Sequence, residues 1–238
     1  MRRGLAAHLP RQPVTRVSVY HPRTLRRYPP GAADFAARIT GEVLGTPERR
    51  GKFLWLPIGG RSEALVAHLG MSGQLLLPPV DAPAETHLRV RIDFADAPVA
   101  LRFVDQRTFG WLTLDPLVTA ADGREVPLSA QAIAPDLFEP SFDLASVCRS
   151  VRARRAPIKA VLLDQAVASG IGNIYADEAL WLVRRHWATP AGSMSVRAIG
   201  DLYAAARDVM SRALAAGGTS FDSLYIDVNG QSGYFERD

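Results

Sequence analysis

Cysteine is almost missing from this sequence: 238 residues hold one, Cys148. A single thiol excludes an internal disulfide, and it cannot build a thiolate zinc site alone. Cys148 falls at helical spacing with Leu144, Val147 and Val151, which reads as a small buried hydrophobe. Long apolar runs are missing too, and none approaches the roughly 20 residues that span a bilayer. The opening Met1-Arg2-Arg3-Gly4-Leu5 has no extended apolar core behind its arginines, so it does not read as a signal peptide. There is no internal repeat and no low-complexity tract. These absences point to a cytoplasmic protein with no membrane partner. With 47% apolar and 22% charged residues, the chain is expected to fold into one or two globular domains.

What is present is positive charge, unevenly placed. The net charge is +4, but residues 1–60 alone carry +8 and the remainder sums to −4. A basic first quarter suits a polyanionic partner. A solvated basic surface would show the same excess. A second cluster, Arg149, Arg152, Arg154, Arg155 and Lys159, has no acid within it.

The first half reads as strand. Val14–Tyr20 alternates apolar and polar, Lys52–Leu56 and Ala64–Leu69 are short apolar runs, and His87–Phe94 alternates without a break. Val99–Phe103 and Phe109–Leu114 continue the pattern, and Arg2–His8 and Asp34–Ile39 read as short helices. Many short strands at close spacing suggest a sandwich or barrel. Residues 115–141 carry Pro116, Pro127, Pro135 and Pro140 and read as a connection. The second half reads as helix. Phe142–Val151 comes first, then a helix from Pro157 to Ser169, then Ile174–Arg185, then a long helix capped by Ser195 and stopped by Gly217-Gly218. Leu224–Val228 and Gln231–Phe235 flank Asn229-Gly230, a hairpin pattern.

Gly170-Ile171-Gly172-Asn173-Ile174-Tyr175-Ala176-Asp177-Glu178-Ala179-Leu180 joins two helical segments through a tight turn. Glycines there allow backbone shapes closed to other residues. They also let a phosphate approach the free N–H groups at the start of the second helix. Beside the basic cluster, this is a nucleic-acid grip.

Six stretches in order resemble the bacterial formamidopyrimidine-DNA glycosylase (Fpg/Nei) family of 8-oxoguanine repair enzymes. They are Arg2-Arg3-Gly4-Leu5, Arg49-Arg50-Gly51-Lys52-Phe53-Leu54, His68-Leu69-Gly70-Met71-Ser72-Gly73, Asp105-Gln106-Arg107-Thr108-Phe109-Gly110, the Gly170–Leu180 turn, and Gly217-Gly218-Thr219-Ser220 through Gly233-Tyr234-Phe235. The resemblance implies an α+β fold. An N-terminal antiparallel β-sandwich glycosylase domain over 1–120 would be followed by a linker over 121–141. A helical helix–two-turn–helix DNA-binding domain over 142–238, ending in a β-hairpin, would complete it. It also implies a bifunctional glycosylase and abasic-site lyase in base-excision repair. Such an enzyme acts on 8-oxoguanine and formamidopyrimidine in duplex DNA, as a monomer associated with the bacterial nucleoid.

Site residues follow by position. An enzyme acting on a base inside a duplex must extrude it, and the void needs a filler and a wedge. The resemblance assigns these tasks to Met71, Arg107 and Phe109. Arg107 and Phe109 are two apart, so on an extended segment they would point the same way. Lys52 matches a lysine that serves the lyase step and contacts phosphate, and like-charge repulsion from Arg49 and Arg50 should depress its pKa. His87 and Arg154 match DNA contacts, and Lys159 and Asn173 match phosphate-binding positions. Without the resemblance, Met71 and Phe109 read equally as core, and Lys52 and His87 as solvent-facing.

The sequence also departs from the family. Family members begin, after the initiator methionine, with a nucleophilic proline and an assisting glutamate. Met1 aligns inside the first helix, and Pro10 and Pro13 are amides. The family's structural zinc sits in a four-cysteine C-terminal finger that has no counterpart in these residues, so no cofactor is expected here. Thr108 stands where a second arginine is frequent. The expectation is a chain truncated at both ends, weakly active or inactive. A non-catalytic binder of damaged or kinked DNA is the alternative, and an RNA-binding or ribosome-associated protein is a third reading that the Met71/Arg107/Phe109 set argues against.

Overall fold

The computed structural model describes residues 1–216. The Gly217-Gly218 helix stop, the Gly217–Ser220 motif and the hairpin over 224–235 lie outside the described residues. Two compact units emerge. One comprises Met1–Arg49 and Phe53–Gln131, the other Arg50–Lys52 and Ala132–Ala216.

The first unit is an antiparallel β-sandwich. Its four-stranded sheet runs in the order β1 (Val14–Val19), β6 (Leu88–Phe94), β7 (Leu101–Asp105), β5 (Gly73–Leu76). Its five-stranded sheet runs β2 (Glu48–Arg50), β3 (Phe53–Pro57), β4 (Glu63–His68), β8 (Trp111–Thr119), β9 (Glu125–Pro127). The alternation of β6 becomes burial. Val90, Ile92 and Phe94 face the core, while the partly exposed Arg91 donates to Asp93 Oδ1 at 2.7 Å. Register puts Val90 opposite Phe103 and Leu65 opposite Leu114, so apolar side chains of both sheets meet. Helices α1 (Arg2–His8) and α2 (Gly31–Ile39) add Leu5, Phe35 and Ile39, all fully buried. Trp55, Val66 and Val126 build a second cluster with Trp111.

The second unit is helical: α3 (Leu144–Arg152), α4 (Ile158–Leu162), α5 (Asn173–Leu182) and α6 (Val196–Ala215). Asp143 starts α3 by accepting from Ala145 N at 2.9 Å and Ser146 N at 3.1 Å, and Ser195 starts α6 by accepting from Ala198 N at 3.2 Å. Cys148 is buried with Val147 and Val151, whereas Leu144, at the first helical position, is 39% exposed.

Two sequence readings change. The helix expected from Pro157 to Ser169 stops at Leu162. Beyond it, turn hydrogen bonds such as Val167 N to Asp164 O at 2.9 Å are joined by side-chain bonds to the backbone. Asp164 Oδ1 accepts from Ala166 N, Gln165 Oε1 accepts from Gly170 N, and Gln165 Nε2 donates to Leu163 O and Ile171 O. The 121–141 stretch expected as a linker is packed instead. Val126 lies on β9 and is fully buried with Ala130 in the first unit, and Leu137 belongs to the core of the second. No described helix is long and apolar enough to cross a membrane.

Candidate nucleic-acid interface

In the sandwich unit, two loops carry Met71, Arg107 and Phe109. The turn after β4 uses Gly70 at φ +62, and a Cβ there would stand 2.7 Å from the Phe109 carbonyl carbon and 2.8 Å from Gly110 N. Only glycine permits that backbone contact. Gly70 N donates to His68 Nδ1 at 3.2 Å, and the His68 ring stacks on Trp111 with centroids 5.5 Å apart.

The fully buried Asp105 joins the loops. Its Oδ1 accepts from Ser72 Oγ and its Oδ2 from Gly110 N at 2.7 Å, while Ser72 Oγ accepts from Arg107 N at 3.2 Å. A buried carboxylate persists when its lone pairs are satisfied this way. Asp105 N donates to the carbonyl of His87, which sits half-buried in the turn before β6. Arg26 donates to the carbonyls of Phe109 and Gly110, both at 2.6 Å. Burial, followed by the neighbouring Arg23 and Arg27, lowers its pKa from the usual arginine value.

Met71 is 51% and Phe109 49% exposed, so neither belongs to the core. Arg107 is exposed as well. Arg107 and Phe109 do not lie on an extended segment as their spacing suggested, because Thr108 between them is left-handed at φ +56.

In the helical unit, Gly170 takes φ +91 and Gly172 opens α5 as an extended N-cap that makes no side-chain cap. Asn173 is the first helical residue. Its Nδ2 lies 3.3 Å from Asp177 Oδ2, and Lys159 Nζ lies 2.7 Å from Asp177 Oδ1. Arg154 pairs with Asp164, apart from that group. N–H groups at a helix start beside a lysine and an amide are suited to an anion.

Lys52 belongs to this unit. Its Nζ would be 3.7 Å from a Cβ placed on Gly172. The residue retains exposed surface, yet enough protein surrounds the amine to lower its pKa, and burial is the cause. The repulsion expected from Arg49 and Arg50 is not: the Arg50 guanidinium is buried against Glu139, 3.1 Å away. Gly51, at φ +54, lies so close to Ser169 that a Cβ would stand 2.7 Å from the serine Cβ.

The sequence alone gives no role to Arg26, Ser72, Asp105 or Asp177. Asp105, Ser72 and Asp177 stood inside the quoted motifs. Arg26 stood in the basic first quarter and had no other signal.

Exposed apolar side chains beside an arginine in one unit, and a helix start flanked by a lysine in the other, are features suited to a nucleic-acid-binding protein. The formamidopyrimidine-DNA glycosylase N-terminal domain model matches residues 1–112, and the formamidopyrimidine-DNA glycosylase H2TH domain model matches 133–224. The chain belongs to the formamidopyrimidine-DNA glycosylase family. It is 51% identical over 244 residues to the formamidopyrimidine-DNA glycosylase of Thermobifida fusca, covering 100% of this chain and 82% of the relative. It is 51% identical over 238 residues to that of Streptomyces coelicolor, with the same coverage. Among solved structures, it superposes on Lactococcus lactis Fpg in complex with abasic-site DNA with a TM-score of 0.82 at 26% identity, covering 99% of this chain and 82% of that one. A Lactococcus lactis Fpg mutant bound to Fapy-dG-containing DNA gives 0.83 at 27% identity, covering 99% and 83%.

Proposed function

We propose that this chain binds duplex DNA at oxidised purines and serves their removal in base-excision repair, which would place it on the bacterial chromosome. The observation that carries this is the exposure of Met71 and Phe109 on loops locked together by Asp105 and Gly70. Exposed apolar groups on a fixed backbone are suited to filling the space of an everted base and prising apart its neighbours. Arg107, on the same loop, presents a cation to the strand left behind. The start of α5, with Lys159 and Asn173, holds a backbone phosphate.

Lys52 places an amine of lowered pKa beside Gly172. A neutral amine condenses with the aldehyde of an opened abasic sugar, losing water to give a Schiff base from which the 3′ phosphate is eliminated.

The test is fluorescence anisotropy with duplexes carrying a tetrahydrofuran abasic analogue, 8-oxoguanine or no lesion. Tighter binding to the modified duplexes is expected, and Met71→Ala/Phe109→Ala should erase the preference while leaving undamaged-duplex binding nearly unchanged. Equal affinity of the unaltered chain for all three duplexes would overturn the reading.

A further inference from the structure

We propose that Arg26 is a positioning residue for Phe109, holding the 105–110 loop in a bend that Thr108 would otherwise leave. The proposal rests on the reading of Phe109 as the wedge.

Thr108 sits at φ +56. Left-handed backbone is uncommon outside glycine, and for a β-branched residue it is an outlier, because the branched Cβ crowds the neighbouring carbonyl. Such a conformation persists only where the surroundings over-determine it. The ends of the loop are fixed by the Asp105 carboxylate, which reaches Ser72 Oγ and Gly110 N. Arg89 holds the carbonyls of Asp105 at 2.8 Å and Gln106 at 3.4 Å.

The bend itself falls to Arg26. Its Nη1 donates to Gly110 O at 2.6 Å and lies 3.4 Å from Thr108 O, and its Nη2 donates to Phe109 O at 2.6 Å. Three successive carbonyls therefore converge on one guanidinium from a helical turn more than eighty residues earlier in sequence. In an extended segment successive carbonyls alternate in direction, and one planar group could not reach all three. The left-handed Thr108 makes the convergence possible, and the convergence keeps Thr108 left-handed. Nη1 also reaches Arg23 O at 3.3 Å, which ties the guanidinium to its own turn. The result is a half-exposed phenylalanine whose backbone is set before DNA arrives, so less ordering is needed on binding.

The experiment uses the full 238-residue chain and a duplex with a tetrahydrofuran site opposite 2-aminopurine, whose fluorescence rises when it is unstacked. At saturating protein, Phe109→Ala and Arg26→Ala should each lower the signal about 3-fold or more. Arg26→Lys should not restore it, since a single ammonium cannot span the three carbonyls. Adding Thr108→Asn to Arg26→Ala should recover about half the signal or more, because asparagine tolerates the left-handed region. Should Arg26→Ala fail to fold, Arg26→Gln takes its place under the same criteria. A full signal from the Arg26 variant, or no recovery with Thr108→Asn, overturns the proposal. A full signal from Phe109→Ala instead overturns the wedge reading on which it rests.

Discussion

One carboxylate of Asp177 engages Lys159 and Asn173 together, with Lys159 Nζ 2.7 Å from Oδ1 and Asn173 Nδ2 3.3 Å from Oδ2. The two groups assigned to a DNA phosphate are therefore held by an internal anion in the free protein. The pair is partly exposed, and ion pairs of that kind contribute about 0–1 kcal/mol. Counterion release on phosphate binding contributes more than that, so DNA should displace the carboxylate. Asp177 then remains as a negative charge beside the phosphate.

Asp177→Asn should accordingly tighten duplex binding several-fold at low salt, about 1 kcal/mol. Lys159→Ala should weaken binding and flatten the slope of log K against log salt by about 1. A salt titration of both variants checks this. If Asp177→Asn weakens binding as much as Lys159→Ala does, the carboxylate orients the lysine and does not compete for it.

The sequence has only two lysines, Lys52 and Lys159, which makes amine chemistry a clean probe. Burial lowers the pKa of Lys52, whereas Lys159 is tied to Asp177. A lowered pKa means that the neutral amine forms at lower pH than in an ordinary lysine, so Lys52 should gain reactivity first as pH rises. Reductive methylation across a pH series, read by peptide mass, should show Lys52 modified at lower pH than Lys159. The same amine should give a borohydride-trapped adduct on abasic duplex that disappears in Lys52→Ala. Equal onset for both lysines would show that the burial does not disfavour the charge.

Much of the sandwich was legible because β6 alternates between core and surface, while β3 and β4 are short apolar runs of strand length whose central residues are buried. β2, β5 and β9 were not, since three or four residues are too few to show a period. The helical reading overran at Leu162 because Val167 and Ala168 are buried loop residues whose spacing imitates the preceding helix. Pairings of distant segments left no local trace. Nothing near Arg50-Gly51-Lys52 shows that it belongs with the helical unit, and nothing near Arg26 shows that it holds residues 108–110. The left-handed Thr108 was equally hidden, because local preference argues against it and tertiary hydrogen bonds impose it.

Asp105 offers a test of the loop lock. Asp105→Asn keeps the shape but replaces one acceptor oxygen with a donor, which then faces either Ser72 Oγ or Gly110 N. Facing Gly110 N, it leaves two buried donors opposed; facing Ser72, it competes with Arg107 N for the hydroxyl. The cost should be about 1–3 kcal/mol, read as a fall in the urea midpoint. Lesion preference should fall with it. A variant as stable as the parent would mean that the carboxylate is not what holds these loops.

Gly51 and Gly60 form a matched pair for the last prediction. Both are left-handed, at φ +54 and +72. A Cβ on Gly60 would meet nothing within 4 Å, whereas one on Gly51 would stand 2.7 Å from Ser169 Cβ and 2.9 Å from its Oγ. Gly60→Ala therefore carries only the conformational penalty, about 1–2 kcal/mol. Gly51→Ala carries that and a clash as well. Ser169 is fully buried, so it cannot swing into solvent to make room. Relief would need the Arg50–Lys52 segment to back away from the turn before α5, loosening the buried Arg50–Glu139 pair and carrying Lys52 from Gly172. The loss for Gly51→Ala should exceed that for Gly60→Ala by about 1–3 kcal/mol. Lys52 should also methylate at the pH of an ordinary lysine. Thermal melts and the same mass measurement decide it. Equal melting points for the two alanine variants would show that the close packing of Gly51 on Ser169 does not constrain the fold.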